Sequence, residues 1–152
     1  NCEETDFTKA DLTQANFTGA ILVKAKMDGV QAHAANFTRA ELNHVSFQRA
    51  FIRETFFEES NLSIVDFSHS DLTACIFSRA ICRGTKFIHV DLTFADFSYT
   101  DLEFADFSGA DLTGAKFHRI HEKDTVWKNS NRNKALGTDP DLAEAEEWQP
   151  VY

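Results

Sequence analysis

This 152-residue sequence has little of what enzymes and metal proteins use. It contains three cysteines and no CxxC pair, which excludes zinc ribbons and dithiol redox sites on spacing. Its six glycines form no loop that could cradle a phosphate. No apolar run approaches the length needed to cross a bilayer, so no membrane partner is expected. A signal-peptide pattern is missing from the first residues. The chain also begins without Met and already in repeat at Thr5, so it reads as a piece of a longer protein. Excess base is missing too. The net charge is −9, which argues against a nucleic acid bound directly through its phosphates. The six histidines are scattered. His69 and His89 are 20 residues apart, but Arg49 and Gly109 continue their series, so no metal site is expected. Acid pairs such as Glu58-Glu59 imply no cleft. No catalytic residue and no cofactor is expected.

What is present is a period. Residues 5–129 read as 25 pentads without one insertion, from TDFTK and ADLTQ to TVWKN. The third residue of each pentad, here its centre, is Phe or Leu almost throughout. Centres ending in 7 are Phe except Met27 and Trp127; those ending in 2 are mostly Leu, with Ala32, Ile52, Cys82 and Glu122 as departures. A five-residue period gives an α-helix no buried face, because successive centres rotate by about 140°. Within a pentad such as Ala105-Asp106-Phe107 the order is small-inward, polar-outward, large-inward. Ser108 and Gly109 then break the alternation and imply a corner. Units of this kind wind into a β-solenoid, each coil bonded to the next. The residue two before each centre is most often Ala, which suits a crowded inward place. Cys75 and Cys82 fall on inward positions and read as buried, inert thiols. Ala32 thins the core, and a void or slump is expected there.

The pattern Ala110-Asp111-Leu112-Thr113 resembles the pentapeptide-repeat family, and the resemblance covers residues 5–129. It implies an all-β solenoid: a right-handed quadrilateral β-helix with four pentads per coil and about six coils, roughly 30 Å long. Residues 1–129 would form this β-helix. Residues 130–152 would be a loop plus a short helix capping the C-terminal end, with Asp139 as N-cap before Pro140. Leu142, Ala145 and Trp148 would supply the apolar cover. Trp127 would lid the last Phe stack, and Glu122 would lie in a final coil already open to water.

Two outward features stand out. The residue before a centre should face solvent, yet it is apolar at Phe51, Phe56, Ile76 and Ile81, a candidate partner-binding patch. Between Asp91 and Asp111 there is no Lys or Arg, and Asp91, Asp96, Asp101, Glu103, Asp106 and Asp111 make a candidate acidic belt. The same aspartates also suit turn hydrogen bonds. Phe94, Tyr99 and Phe104 sit on corners within the belt, either as aromatic contacts or packed on the next corner.

Together these features suggest a non-catalytic protein–protein interaction or scaffold module, part of a larger bacterial protein and placed in the cytoplasm. It would be a monomer or a weak oligomer through its coil ends. The stretch from Asn16 to Leu42 and the ending DPDLAEAEEWQP look like pentapeptide-repeat tails of type VI secretion accessory proteins, which implies a part in effector loading. The alternative is DNA mimicry, since some family members resemble duplex DNA and protect DNA gyrase. Mimicry needs acids repeated down one wall, and the series Asp6, Lys26, Ser46, Asp66, Lys86, Asp106 alternates instead.

Overall fold

A computed structural model describes residues 1–148. The repeat closes into a rod whose register is fixed by parallel bridges 20 residues apart, beginning Asp6↔Lys26, Asp11↔Gln31, Asn16↔Asn36 and Ile21↔Glu41. Four pentads therefore complete one coil. Pairing is sparser than ordinary strands provide: each pentad contributes a single bridging residue, and no longer strand occurs among the described residues.

The backbone accounts closely for its hydrogen bonds. In the pentad centred on Phe37, Asn36 N–H donates back to Ala15 O at 2.9 Å, and Phe37 N–H forward to Phe56 O at 2.7 Å. Arg39 N–H donates to Glu58 O at 2.9 Å, and Ala40 N–H closes the turn on Phe37 O at 3.0 Å. The fifth donor, Thr38 N–H, goes to the Asn36 side chain at 2.9 Å.

Every residue whose number ends in 4 or 9, from Glu4 to Asn129, has φ between +48° and +68°. That places a left-handed residue third in each four-residue turn, the signature of a type II turn. Glycine is favoured there, yet most of these residues carry side chains. Four of the five corner glycines lie beneath a large corner side chain of the preceding coil. Phe94 over Gly114 and His89 over Gly109 approach so closely that a Cβ would clash at 2.6 and 2.4 Å.

Inside, the centres pile up. Phe57, Phe77 and Phe97 stack with centroids 5.1 and 4.7 Å apart, and Phe67 meets Phe77 edge-on at 6.1 Å. Ala32 is fully buried, and the expected slump is not found: Gln31 bridges both Asp11 and Phe51 in unbroken register. Most inward hydroxyls are satisfied by one repeated bond, while Ser60 donates instead to Phe57 O at 2.7 Å. Thr55, Ser70, Thr85 and Thr100 each donate to the carbonyl 23 residues earlier, at 2.6 to 2.8 Å. Cys75 and Cys82 are free and buried, and burial pushes both thiols up.

The C-terminal end is sealed differently from expectation. Trp127 stacks on Phe107 at 4.5 Å, and Arg132 covers the indole at 4.1 Å while pairing with exposed Glu122 at 2.7 Å. A 3-10 turn at Arg132–Lys134 follows, and Leu136 bridges Lys116 in the register of one more coil. Helix α1, Pro140–Glu147, begins at the expected cap: Asp139 accepts from Asp141 N–H and Leu142 N–H. It does not lay its apolar residues on the open end. Leu142 and Trp148 remain 47% and 71% exposed, and no α1 residue is buried. Its contacts are with Tyr99, His118 and Arg119 on the outer wall. This short helix carries four acids, and two of them, Glu146 and Glu147, meet Arg119 and His118 on that wall.

Candidate interaction surface

The outer walls repeat one local device. Each of the twelve Asp or Asn residues that precede a centre accepts the N–H two residues on. At Phe51, Phe56, Ile76 and Ile81 this acceptor is missing. Among the described residues the N–H groups of Arg53, Glu58, Ser78 and Arg83 have no protein acceptor. Lys26 and Gln31 also forgo this bond but are themselves solvated, and Ile21 and Val126, 41% and 42% exposed, forgo it singly near the two ends of the rod. The four apolar residues lose the bond and also expose hydrocarbon.

Phe56 and Ile76 are bridged neighbours on one wall, whereas Phe51 and Ile81 stand on the two flanking walls. Phe51, Phe56 and Ile81 are 54%, 37% and 42% exposed, and Ile76 is half-buried. The patch thus wraps around the rod. Ile64 adds to it: it is 55% exposed on a corner and lies over Gly84, three residues past Ile81. Its corner role was hidden in the sequence, where Ile64 reads as one more variable fifth position. The pairing of such residues with a glycine 20 positions later is the signal that marks it.

The corner aromatics divide. Phe94 lies over Gly114 yet stays exposed, and Phe104 is exposed as well. Tyr99 is already engaged: Arg79 sits 4.9 Å over its ring, His118 packs edge-on at 5.3 Å, and its hydroxyl donates to Glu146 of α1. His118, nearly buried, accepts Asp139 N–H at Nδ1, which leaves Nε2–H to face Glu146 at 3.3 Å. Arg119 reaches Glu146, Glu147 and the Ala143 carbonyl at 2.8, 2.7 and 2.9 Å.

The acidic belt is less bare in space than in sequence. Bases on neighbouring coils reach it: Arg83 to Asp101 at 2.6 Å, Arg83 and Lys123 to Glu103 at 3.6 Å each, and Lys116 to Asp96 at 3.8 Å. Burial works to raise the Asp101 carboxyl, but hydrogen bonds from Arg83, Glu103 N–H and His121 outweigh it and hold it below the usual range. Asn131 and Thr113 hold Asp111 low in the same way. Asp106 serves its turn through Ser108 N–H. Asp91 is exposed and bridges Asp71 and Asp111, giving three stacked aspartates on one wall. Two of them are engaged, Asp71 by Arg53 at 2.6 Å and Asp111 by Asn131 at 2.7 Å.

His69 and His89 stack at 5.5 Å, as their spacing predicts. No group of three potential metal ligands occurs among the described residues, and none of their helices is long and apolar enough to cross a membrane.

A family model described as pentapeptide repeats (8 copies) matches residues 1–39, 40–79 and 75–114. No curated protein matches the chain. Among solved structures, a pentapeptide repeat protein, Rfr23 from the cyanobacterium Cyanothece 51142, is similar at 17% identity and a TM-score of 0.59, over 77% of this chain and 90% of that one. HetL from Nostoc sp. strain PCC 7120, involved in heterocyst differentiation regulation, is similar at 16% identity and a TM-score of 0.37, over 91% and 92%. Full-length QnrB1, a plasmid-mediated fluoroquinolone resistance protein, is similar at 18% identity and a TM-score of 0.44, over 94% and 95%.

Proposed function

This chain belongs to the pentapeptide-repeat family, and from that premise we propose that it is a non-catalytic docking module that binds another protein through its outer walls. One observation carries the reading: Phe51, Phe56, Ile76 and Ile81 occupy wall positions where Asp or Asn would have satisfied a turn N–H. Each departure forgoes a bond worth about 0.5–1.5 kcal/mol and leaves hydrocarbon in water. The four lie in adjacent coils as one apolar surface, and contact with a partner is the economical reason for it. Coils bonded to one another along the rod hold the patch in one arrangement.

The likeness of residues 16–42 and the ending to type VI secretion accessory tails makes effector loading the first assembly in which to seek that partner. DNA mimicry is the weaker reading. Its acids would have to line one wall, and here Lys26, Lys86 and Lys116 interrupt the walls while cross-coil pairs engage much of the belt. The test is capture of the partner by tagged chain from the host cell, compared with the Phe51→Asp/Ile76→Asp variant. Loss of the captured protein with folding intact supports docking through the patch; undiminished capture sinks it.

A further inference from the structure

One corner column of this acidic rod runs Lys9, Gly29, Arg49, His69, His89, four basic-type side chains with no carboxylate among them. Gly29 leaves a gap in it. The Lys9 stem leans to 3.5 Å from where a Gly29 Cβ would stand, and Arg49 stands on the other side. Between them opens a notch of about 480 Å³, with Gln31, Gln48 and Asp28 on its walls. Asp28 is engaged already, accepting Ser46 Oγ at 2.5 Å and Gln48 N–H at 3.0 Å, and Gln48 gives its amide to Asp66 at 2.9 Å. Among the described residues neither Lys9 nor Arg49 has an ion-pair partner. Their backbone positions are two coils apart, about 10 Å, with Gly29 between them, so both long side chains can reach an anion held over Gly29.

The notch does not stand alone. Gln31, on its wall, is the bridge partner of Phe51, the most exposed of the four apolar wall residues. A cationic notch and a bare aromatic ring are therefore neighbours. We propose that the notch receives a carboxylate side chain of a partner segment whose adjacent apolar residue packs on Phe51. This rests on the docking-module reading and names the chemistry of the partner: an acidic residue beside an apolar one. A single carboxylate fits better than a multiply charged phosphate, because Asp28 borders the site and the chain carries −9 overall.

The experiment is fluorescence anisotropy on the full chain with two labelled octapeptides, one containing Glu-Leu-Phe and one Gln-Leu-Phe. The Glu peptide is expected to bind roughly tenfold more tightly, the sum of two exposed charge contacts. Lys9→Glu/Arg49→Glu should erase that preference, and so should Gly29→Asp, which puts a carboxylate of the chain's own into the notch. Lys86→Glu, elsewhere on the walls, should leave it intact. Equal binding of the two peptides, no binding of either, or displacement of the Glu peptide by excess inorganic phosphate as readily as by free Glu peptide would overturn the proposal. The two readings fail separately. Charge-independent binding that Phe51→Asp abolishes removes only the carboxylate assignment, whereas binding that Phe51→Asp leaves unchanged counts against the docking patch itself.

Discussion

Inside the rod, eight phenylalanines are fully buried and stack in two columns that touch edge-to-face. On its outside, α1 buries no residue and is held by Arg119, His118 and Tyr99 reaching Glu146, Glu147 and the helix backbone. The first region is secured by area removed from water, the second by a few charged contacts at the surface. The interior should therefore tolerate almost no change of chemistry, while release of α1 should cost the rod little.

Removing a ring from a stack should give the largest effect. Phe77, fully buried and stacked on both Phe57 and Phe97, should cost about 3–5 kcal/mol on Phe77→Ala, read by denaturant unfolding. If Arg119→Ala costs as much, the two regions are not built differently. Next comes the wall device. Asp66 accepts Ser68 N–H and the Gln48 amide, both at 2.9 Å, so Asp66→Ala should cost about 1–2 kcal/mol. Asp66→Asn, which keeps the turn acceptor, should cost less than half of that. For α1, Arg119→Ala or high salt should release the helix, seen as lost helical circular dichroism, with less than about 1 kcal/mol taken from the rod.

Acid sharpens the comparison. Asp66, Asp71, Asp101 and Asp111 are all held below the ordinary carboxylate range. Their folded values lie below the unfolded ones, so their contribution is complete above about pH 4 and is lost as pH falls through the lower folded values. Unfolding midpoints should be flat from neutral pH to about 5 and drop below about 4. The smallest effect is at the corners. Ala74 has φ +56°, and Ala74→Gly should stabilise by up to about 0.5–1 kcal/mol, since relieved strain exceeds the added unfolded-state entropy.

The interior was legible because a buried column tolerates few residue types: Phe recurs every 20 positions from Phe17 to Phe117, and all but the first of these are buried. The corners were legible only as bends. Their left-handed backbone was written in the glycines, of which Gly19, Gly29, Gly84, Gly109 and Gly114 all fall on the fifth position. Non-glycine residues outnumber them there and mask the rule. The acidic belt misled because charge was read along the chain, while Arg83, Lys116 and Lys123 arrive from neighbouring coils. The cap helix was legible from Asp139-Pro140, but its resting place depends on Arg119 and Tyr99, which no local pattern links to Glu146.

Phe56 and Phe57 are adjacent in sequence, yet one is 37% exposed on the wall and the other is fully buried between Phe37 and Phe77. Equilibrium unfolding of Phe56→Asp and Phe57→Asp separates wall from interior in a single comparison. Phe56→Asp should keep or slightly raise stability, because a carboxylate there can accept the Glu58 N–H, whereas Phe57→Asp should fail to fold. Equal damage from both substitutions, or tolerance of both, would contradict a rod whose rings fill the inside and whose outer apolar residues are free for a partner.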